Sequence, residues 1–107
     1  MKVLNIIRKN IENQYIKYRV PFIKSEIYLI KWFPNSKTIF HGHNGKQCDF
    51  IFLNGNMIEY ISKNRRSAIK ERYIQKLKLY SINDTIGIHK IKNTDNKIKW
   101  SIHRYYK

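Results

Sequence analysis

Short runs of apolar and β-branched residues, separated by proline, glycine and asparagine, restrict the fold of this chain more than any other feature. Runs of this kind between turn residues are typical of β-strands. The predicted strands are Ile27–Phe33, Thr38–His43, Cys48–Leu53, Met57–Ile61, Arg72–Leu79, Ile86–Ile91 and Lys99–Tyr105. A short helix is an alternative for the fifth run, and residues 62–70 are predicted to form a loop. Many short strands with regular turns predict a small β-barrel or sandwich.

The N-terminal segment has a different periodicity, which predicts a short amphipathic helix within residues 1–13. Pro21 ends any helical tendency, because proline lacks the backbone N–H that a helix needs. The apolar residues with helical spacing are Val3, Leu4, Ile7 and Ile11. We therefore expect an all-β fold with one short N-terminal helix.

Length and cysteine content limit the class of protein further. The 107 residues suit a single domain. The single cysteine, Cys48, excludes an intramolecular disulfide framework and favours a reducing compartment, so we expect a cytoplasmic protein. No apolar run approaches the roughly 18 residues that span a bilayer, so we expect no membrane partner. We also expect the protein to be a monomer.

The formal net charge of +15 raises the alternative of a basic nucleic-acid-binding protein. The basic residues are spread along the chain, apart from a loose group that contains Lys63, Arg65, Arg66, Lys70 and Arg72. A surface of this kind binds polyanions weakly and in a salt-dependent way. We therefore keep nucleic-acid binding as an outside alternative and expect no specific nucleic-acid partner.

Histidines supply the strongest chemical signal. His41 and His43 are separated by one residue, so on a strand their side chains point to the same face. His89 follows Gly87 on another predicted strand and offers a third neutral donor to a metal ion. Each histidine alone is more often a core or surface residue. The geometry of three histidines admits a zinc site that activates water as well as an iron site.

The spacing His41-x-His43-x4-Cys48-x6-Gly55 resembles the first motif of the cupin family, with cysteine where most cupins have a glutamate ligand. The second cupin motif is similar to the stretch Gly87-x-His89-x3-Asn93. A third stretch narrows the match, and its residues are Ser101, His103 and Tyr105. Together these motifs resemble the cysteine dioxygenase-type thiol dioxygenases of the cupin superfamily.

This resemblance implies a single cupin domain over residues 1–107. A small double-stranded β-helix, or jelly-roll, barrel would occupy residues 26–105. Residues 1–20 would form the N-terminal helix and a segment on the substrate side.

The resemblance also implies roles for single residues. His41, His43 and His89 would hold Fe(II). Tyr105 would direct its hydroxyl at the substrate and oxygen, and Cys48 matches a cysteine that some members link to this tyrosine by a thioether bond.

Three further residues are assigned in the same way. His103 would lie between Ser101 and Tyr105 in a hydrogen-bonded chain. Arg19 would bind the substrate carboxylate, since a guanidinium group can grip a carboxylate with two hydrogen bonds. Asp84 and Glu59 are interpreted as turn and surface residues rather than an acid–base pair.

The expected activity is that of a non-haem Fe(II) thiol dioxygenase, which adds both atoms of O2 to the sulfur of a small thiol. L-cysteine, giving cysteine sulfinate, is the preferred substrate. One alternative is another thiol such as 3-mercaptopropionate, and a second alternative is a non-catalytic metal-binding cupin.

Overall fold

In the computed structural model, which describes residues 5–10, 15–64 and 68–107, nine β-strands form two antiparallel sheets. The strands are β1 (Asn5–Asn10), β2 (Tyr15–Arg19), β3 (Glu26–Trp32), β4 (Gln47–Phe52), β5 (Met57–Ser62), β6 (Lys70–Ile74), β7 (Leu79–Ile82), β8 (Ile88–Lys92) and β9 (Lys99–Tyr106). The larger sheet has the order β1-β2-β3-β9-β4-β7, and the smaller has the order β6-β5-β8. Within the described ranges, no helix is long and apolar enough to cross a membrane.

Alternating side chains of both sheets form the core. On β4, Cys48, Phe50 and Phe52 are buried while their neighbours are partly exposed. Trp32 on β3 packs against Phe52, with 5.9 Å between the ring centroids. The smaller sheet contributes Met57, among other residues, to the same cluster. The period-two pattern read from the sequence therefore corresponds to an inner and an outer face, and the predicted all-β class is confirmed.

The predicted run Arg72–Leu79 contains the ends of two strands. β6 ends at Ile74 in the smaller sheet, and β7 begins at Leu79 in the larger one. Leu77 lies in the connecting turn with a φ of 61°. The alternative of a short helix in this run is therefore wrong.

The helix predicted within residues 1–13 is wrong for the part that the structure describes, because residues 5–10 form strand β1. This strand pairs with β2, with Asn5 opposite Arg19 and Asn10 opposite Tyr15. The pairing gives backbone groups of β2 the partners that an exposed edge would leave to water. Such tertiary pairing outweighs a weak helical periodicity in a short segment. Residues 1–4 and 11–13 of the predicted helix lie outside the described residues.

The predicted strand Thr38–His43 is present only as two isolated bridges, which join Lys37 to Lys92 and His41 to His89. Between them, the hydroxyl of Thr38 accepts a hydrogen bond from the backbone N–H of Ile91 at 3.0 Å. The side chain thus takes a position in the ladder that a main-chain carbonyl would otherwise fill. This segment still runs beside β8 and brings His41 and His43 close to His89.

Candidate metal centre

The three histidines of the predicted site line a cavity of about 330 Å³. Its wall also includes Lys17 of β2 and Tyr105 of β9, so both the segment Thr38–His43 and the larger sheet contribute to it. The volume lies at the lower end of the range for small-ligand sites, roughly 300–1,000 Å³. The cavity therefore suits a small molecule beside a metal ion.

The rings of His41, His43 and His89 converge. Their centroids are 4.6 to 5.2 Å apart. One ligand atom from each histidine lies within 4.8 Å of the other two. The resemblance to the cupin motifs predicted this convergence, and the structure shows that the three side chains could hold one metal ion.

Hydrogen bonds donated by Nδ1–H fix the tautomers of two of these rings. The Nδ1–H of His41 donates to the carbonyl of Ile39 at 2.9 Å, and that of His89 donates to the carboxylate of Glu59 at 2.7 Å. The lone pair of each ring is then on Nε2, and these two Nε2 atoms lie only 3.1 Å apart. Two lone pairs at this distance repel each other, so the arrangement suits a positive ion that both nitrogens can bind.

His43 supplies a second test of fit. Both of its ring nitrogens are buried with no hydrogen-bond partner among the described residues. An unsatisfied buried polar atom costs about 1–3 kcal/mol, which a metal–nitrogen bond would offset. Burial, together with the nearby His89 and His41, lowers the pKa of His43 to about 4, so the ring is neutral at pH 7 and able to bind a cation.

Asp84 holds the loop that carries two of the three histidines. Its carboxylate accepts the backbone N–H of His43 at 2.8 Å and that of Gly45 at 2.7 Å. A Cβ at Gly42 would lie 3.1 Å from an Asp84 oxygen, so glycine allows this close approach. The interpretation of Asp84 as a simple turn residue was therefore incomplete.

Glu59 is completely buried, so its interpretation as a surface carboxylate was wrong. One of its oxygens accepts from His89, and the other accepts from Nε of Arg72 at 2.6 Å. The signal in the sequence is the alternation on β5, which places Glu59 on the same inward face as Met57.

Gly87 allows β8 to begin close to β5. Its φ is 140°, and a Cβ there would overlap the backbone of Ser62. Glycine at this position therefore helps to place His89, two residues further on, against the smaller sheet.

A buried hydrogen-bonded chain runs beside the histidines. Trp32 Nε1–H donates to the hydroxyl of Ser101 at 2.8 Å, and this hydroxyl contacts Nε2 of His103 at 2.7 Å. Ser101 accepts from the indole, which can only donate, and among its side-chain contacts in the described residues Nε2 of His103 is the acceptor for its own O–H. The ring N–H of His103 is then on Nδ1, facing the sulfur of Cys48 at 3.9 Å. Burial lowers the pKa of His103 well below its usual value, so this ring is neutral.

The structure places Ser101 and His103 in contact, as predicted, but the expected hydrogen bond from His103 to Tyr105 is not formed. Both ring nitrogens of His103 face other partners, because the ring points toward Cys48 rather than along β9. Cys48 and Tyr105 lie directly opposite each other on β4 and β9. Burial raises the pKa of the Cys48 thiol to about 12 and raises that of the Tyr105 hydroxyl still further, so both groups are protonated at pH 7.

The cation beside Tyr105 is Lys17, not the predicted Arg19. Lys17 Nζ donates to the hydroxyl of Tyr105 at 3.2 Å and lies over the ring of Tyr28. Arg19 is not among the cavity-lining residues, and its guanidinium instead contacts the hydroxyl of Tyr28 and the carbonyl of Ser25. Both residues lie on the same face of β2, and Lys17 is the one nearer the histidines.

Solved structures with a similar fold include cupin domains. The Drosophila melanogaster CENP-C cupin domain matches with a TM-score of 0.73 and 12% identity, covering 96% of this chain and 75% of that chain. The capsular polysaccharide assembling protein CapF from Staphylococcus aureus matches with a TM-score of 0.71 and 18% identity, covering 98% and 28%. An oxalate oxidase in complex with the substrate analogue glycolate matches with a TM-score of 0.63 and 13% identity, covering 76% and 41%.

At these identities the likeness establishes the fold alone, and the fold is that of a cupin. A search of curated proteins gave no match. The family model of cysteine dioxygenase type I matches residues 10–107. The chain therefore belongs to the cysteine dioxygenase type I family, whose members are cupin dioxygenases.

Proposed function

We propose that this protein is an Fe(II)-dependent thiol dioxygenase that converts L-cysteine to cysteine sulfinic acid. The reaction combines one thiol with one O2, and both oxygen atoms form bonds to sulfur. The sulfur loses four electrons and dioxygen gains them, so no further reductant is needed. The observation that carries this proposal is the convergence of His41, His43 and His89 in a cavity that also presents a cation and a phenol.

The three histidines are the residues that would hold the iron. Each can offer a neutral nitrogen, so the ion would keep its full charge and attract an anionic thiolate. When bound, Fe(II) supplies the redox chemistry that allows dioxygen to react with the thiol. Two of the donors are oriented by their Nδ1 hydrogen bonds, and His43 is held through its backbone by Asp84.

Lys17 and Tyr105 are the groups that would contact the organic part of the substrate. The ammonium group of Lys17 lies at the cavity wall and would bind a carboxylate. The hydroxyl of Tyr105 stays protonated at pH 7 and can therefore donate a hydrogen bond to an anionic oxygen or sulfur. This combination favours a thiol that also carries a carboxylate.

The opposed positions of Cys48 and Tyr105 support a further part of the proposal, a thioether bond between them. A bond between Sγ and the phenol ring would form as the S–H bond and one ring C–H bond break, and the two protons and two electrons released would reduce dioxygen to hydrogen peroxide. Intact-mass measurement of protein incubated with iron, cysteine and air would show the loss of two hydrogen masses. The same measurement on Cys48→Ala should show no such loss.

Iron quantification on the purified protein, paired with thiol-dependent oxygen uptake, tests the main proposal. We expect one iron per chain and oxygen uptake with L-cysteine, with sulfinate as the product. Faster turnover of 3-mercaptopropionate than of L-cysteine would identify 3-mercaptopropionate as the substrate. Bound metal with no uptake for any thiol would contradict the enzymatic proposal and favour a non-catalytic metal-binding cupin.

A further inference from the structure

Glu59 is a buried carboxylate to which the proposed function assigns no role. It lies on β5 in the smaller sheet, is fully inaccessible to solvent, and has one partner for each oxygen. On one side is Nδ1 of His89, and on the other is Nε of Arg72 on the neighbouring strand β6. A fully buried charge is uncommon unless it is paired, and here both partners are donors.

Arg72 is itself held in place. Its guanidinium lies over the ring of Tyr80, at 5.0 Å from the centroid, and donates to the carbonyl of Ser81 at 3.4 Å. These contacts connect β6 of the smaller sheet to β7 of the larger one. Arg72 therefore keeps a fixed N–H donor aimed at one oxygen of Glu59, and the other oxygen is left to face His89.

We propose that Glu59 and Arg72 act as positioning residues for the metal centre by placing the proton of His89 on Nδ1. The carboxylate can only accept from His89, so Nε2 keeps its lone pair and faces the position where the rings converge. This inference rests on the metal centre proposed above and assigns a role to residues that do not touch the ion.

Because the Arg72 donor has a fixed orientation, the proposal predicts a particular effect of one substitution, Glu59→Gln. In Glu59→Gln, Arg72 needs an oxygen acceptor, so the amide oxygen faces Arg72 and the NH2 group faces His89. The NH2 group would then donate to Nδ1 and place the ring proton on Nε2, where it blocks metal binding. Adding Arg72→Leu removes this demand and lets the amide turn, so the double variant should regain affinity.

The experiment measures the affinity of metal-free protein for Co²⁺ by competition with a chromophoric chelator. We expect Glu59→Gln to bind about 10–100-fold more weakly than the wild type, the range typical of losing a hydrogen bond behind a ligand histidine. The double variant Glu59→Gln/Arg72→Leu should recover much of this loss. Glu71→Gln, which changes an exposed carboxylate on the same strand as Arg72, is the matched control and should bind like the wild type.

Nitrogen-15 NMR of the histidine rings provides a second readout, which a purely structural role would not change. We expect a proton on Nδ1 of His89 in the wild type and on Nε2 in Glu59→Gln. Equal Co²⁺ affinity in the wild type and Glu59→Gln would overturn the inference. If Glu59→Gln does not fold, a wild-type His89 without a proton on Nδ1 would overturn it.

Failure of the inference and failure of the proposed function are distinguishable. If the wild type binds no metal, the proposed dioxygenase fails. If the wild type binds metal and turns over thiol, but Glu59→Gln does the same with equal affinity, only the positioning role fails.

Discussion

Lys17 Nζ lies 3.2 Å from the hydroxyl oxygen of Tyr105, although 88 residues separate the two in the chain. The same ammonium group lies 4.7 Å from the centroid of the Tyr105 ring and 4.3 Å from that of Tyr28. A cation and a phenol are thus fixed together at the cavity wall. Both line the cavity in which an anionic substrate group would bind.

Lys17→Ala should weaken the use of L-cysteine far more than that of cysteamine, which lacks the carboxylate. A hydrogen bond to a charged group contributes about 1.5–3 kcal/mol, so KM for cysteine should rise roughly 10–100-fold. Oxygen uptake over a range of each thiol gives both KM values. Arg19→Ala is the matched control and should leave both close to the wild type. Equal losses for the two thiols in Lys17→Ala would mean that Lys17 has a structural role only.

Tyr105→Phe should retain metal and slow turnover by roughly 100-fold, in the range of removing one positioned proton donor. The substitution removes only the hydroxyl, which is both a donor toward the cavity and the acceptor for Lys17. Iron content and kcat measured on the same preparation separate binding from turnover. Tyr28→Phe also removes a hydroxyl, but one that contacts Arg19, and should have a much smaller effect. Rates equal to the wild type in Tyr105→Phe would contradict the role of the hydroxyl.

Metal binding should stabilise the fold, because only the native state brings the three rings together. At 100 times the dissociation constant, a ligand adds about 2.7 kcal/mol, which is roughly 10–20 °C in Tm for a domain of this size. Differential scanning calorimetry with and without Zn²⁺ would measure this shift. His41→Ala should show little of it, whereas His103→Gln should keep it even if its baseline Tm is lower. A full shift in His41→Ala would remove that residue from the ligand set.

The ion pair between Asp95 and Lys99 predicts that the folded state loses stability at acidic pH. Lys99 is almost completely buried, and its ammonium group donates to Asp95 at 2.7 Å and to the carbonyl of Asn56. The hydrogen bond and charge of Lys99 lower the pKa of Asp95 below its ordinary value of 3.8. Because the pKa in the folded state lies below that of the unfolded chain, this stabilisation is present above pH 3.8. It is lost as the pH falls through the folded-state pKa.

Asp95→Asn should therefore have a lower urea midpoint than the wild type at pH 6, and the difference should shrink as the pH falls below 3.8. Unfolding curves recorded at several pH values on both proteins check this. Glu71→Gln, which changes an exposed carboxylate on β6, is the comparison variant. A difference between wild type and Asp95→Asn that stays constant down to pH 2 would contradict the assigned pKa shift.

Alternation and turn residues in the sequence were sufficient to predict the all-β class, whereas the convergence of His41, His43 and His89 was predicted from the resemblance to the cupin motifs. On β4 the pattern is strong, because Cys48, Phe50 and Phe52 make one face apolar along the whole strand. The N-terminal segment was misread because four apolar residues with helical spacing carry little information when the edge of β2 offers backbone partners. A prediction from periodicity takes no account of the neighbouring strands with which a segment can pair.

The choice between Lys17 and Arg19 could not be made from alternation, since the two residues share a face of β2. It depends on the register with β3, which pairs Lys17 with Ile30 and Arg19 with Tyr28. The error on Glu59 has a similar origin. A carboxylate inside a barrel is unfavourable unless two donors meet it, and those donors come from β6 and β8, far away in sequence.

Lys17 belongs to β2, whereas the metal-facing histidines come from the segment before β4 and from β8. The residue that would bind the substrate carboxylate and the residues that would hold the metal ion therefore lie in different segments of the chain. Natural variation at position 17 could change which thiol is preferred while the inorganic chemistry is inherited unchanged.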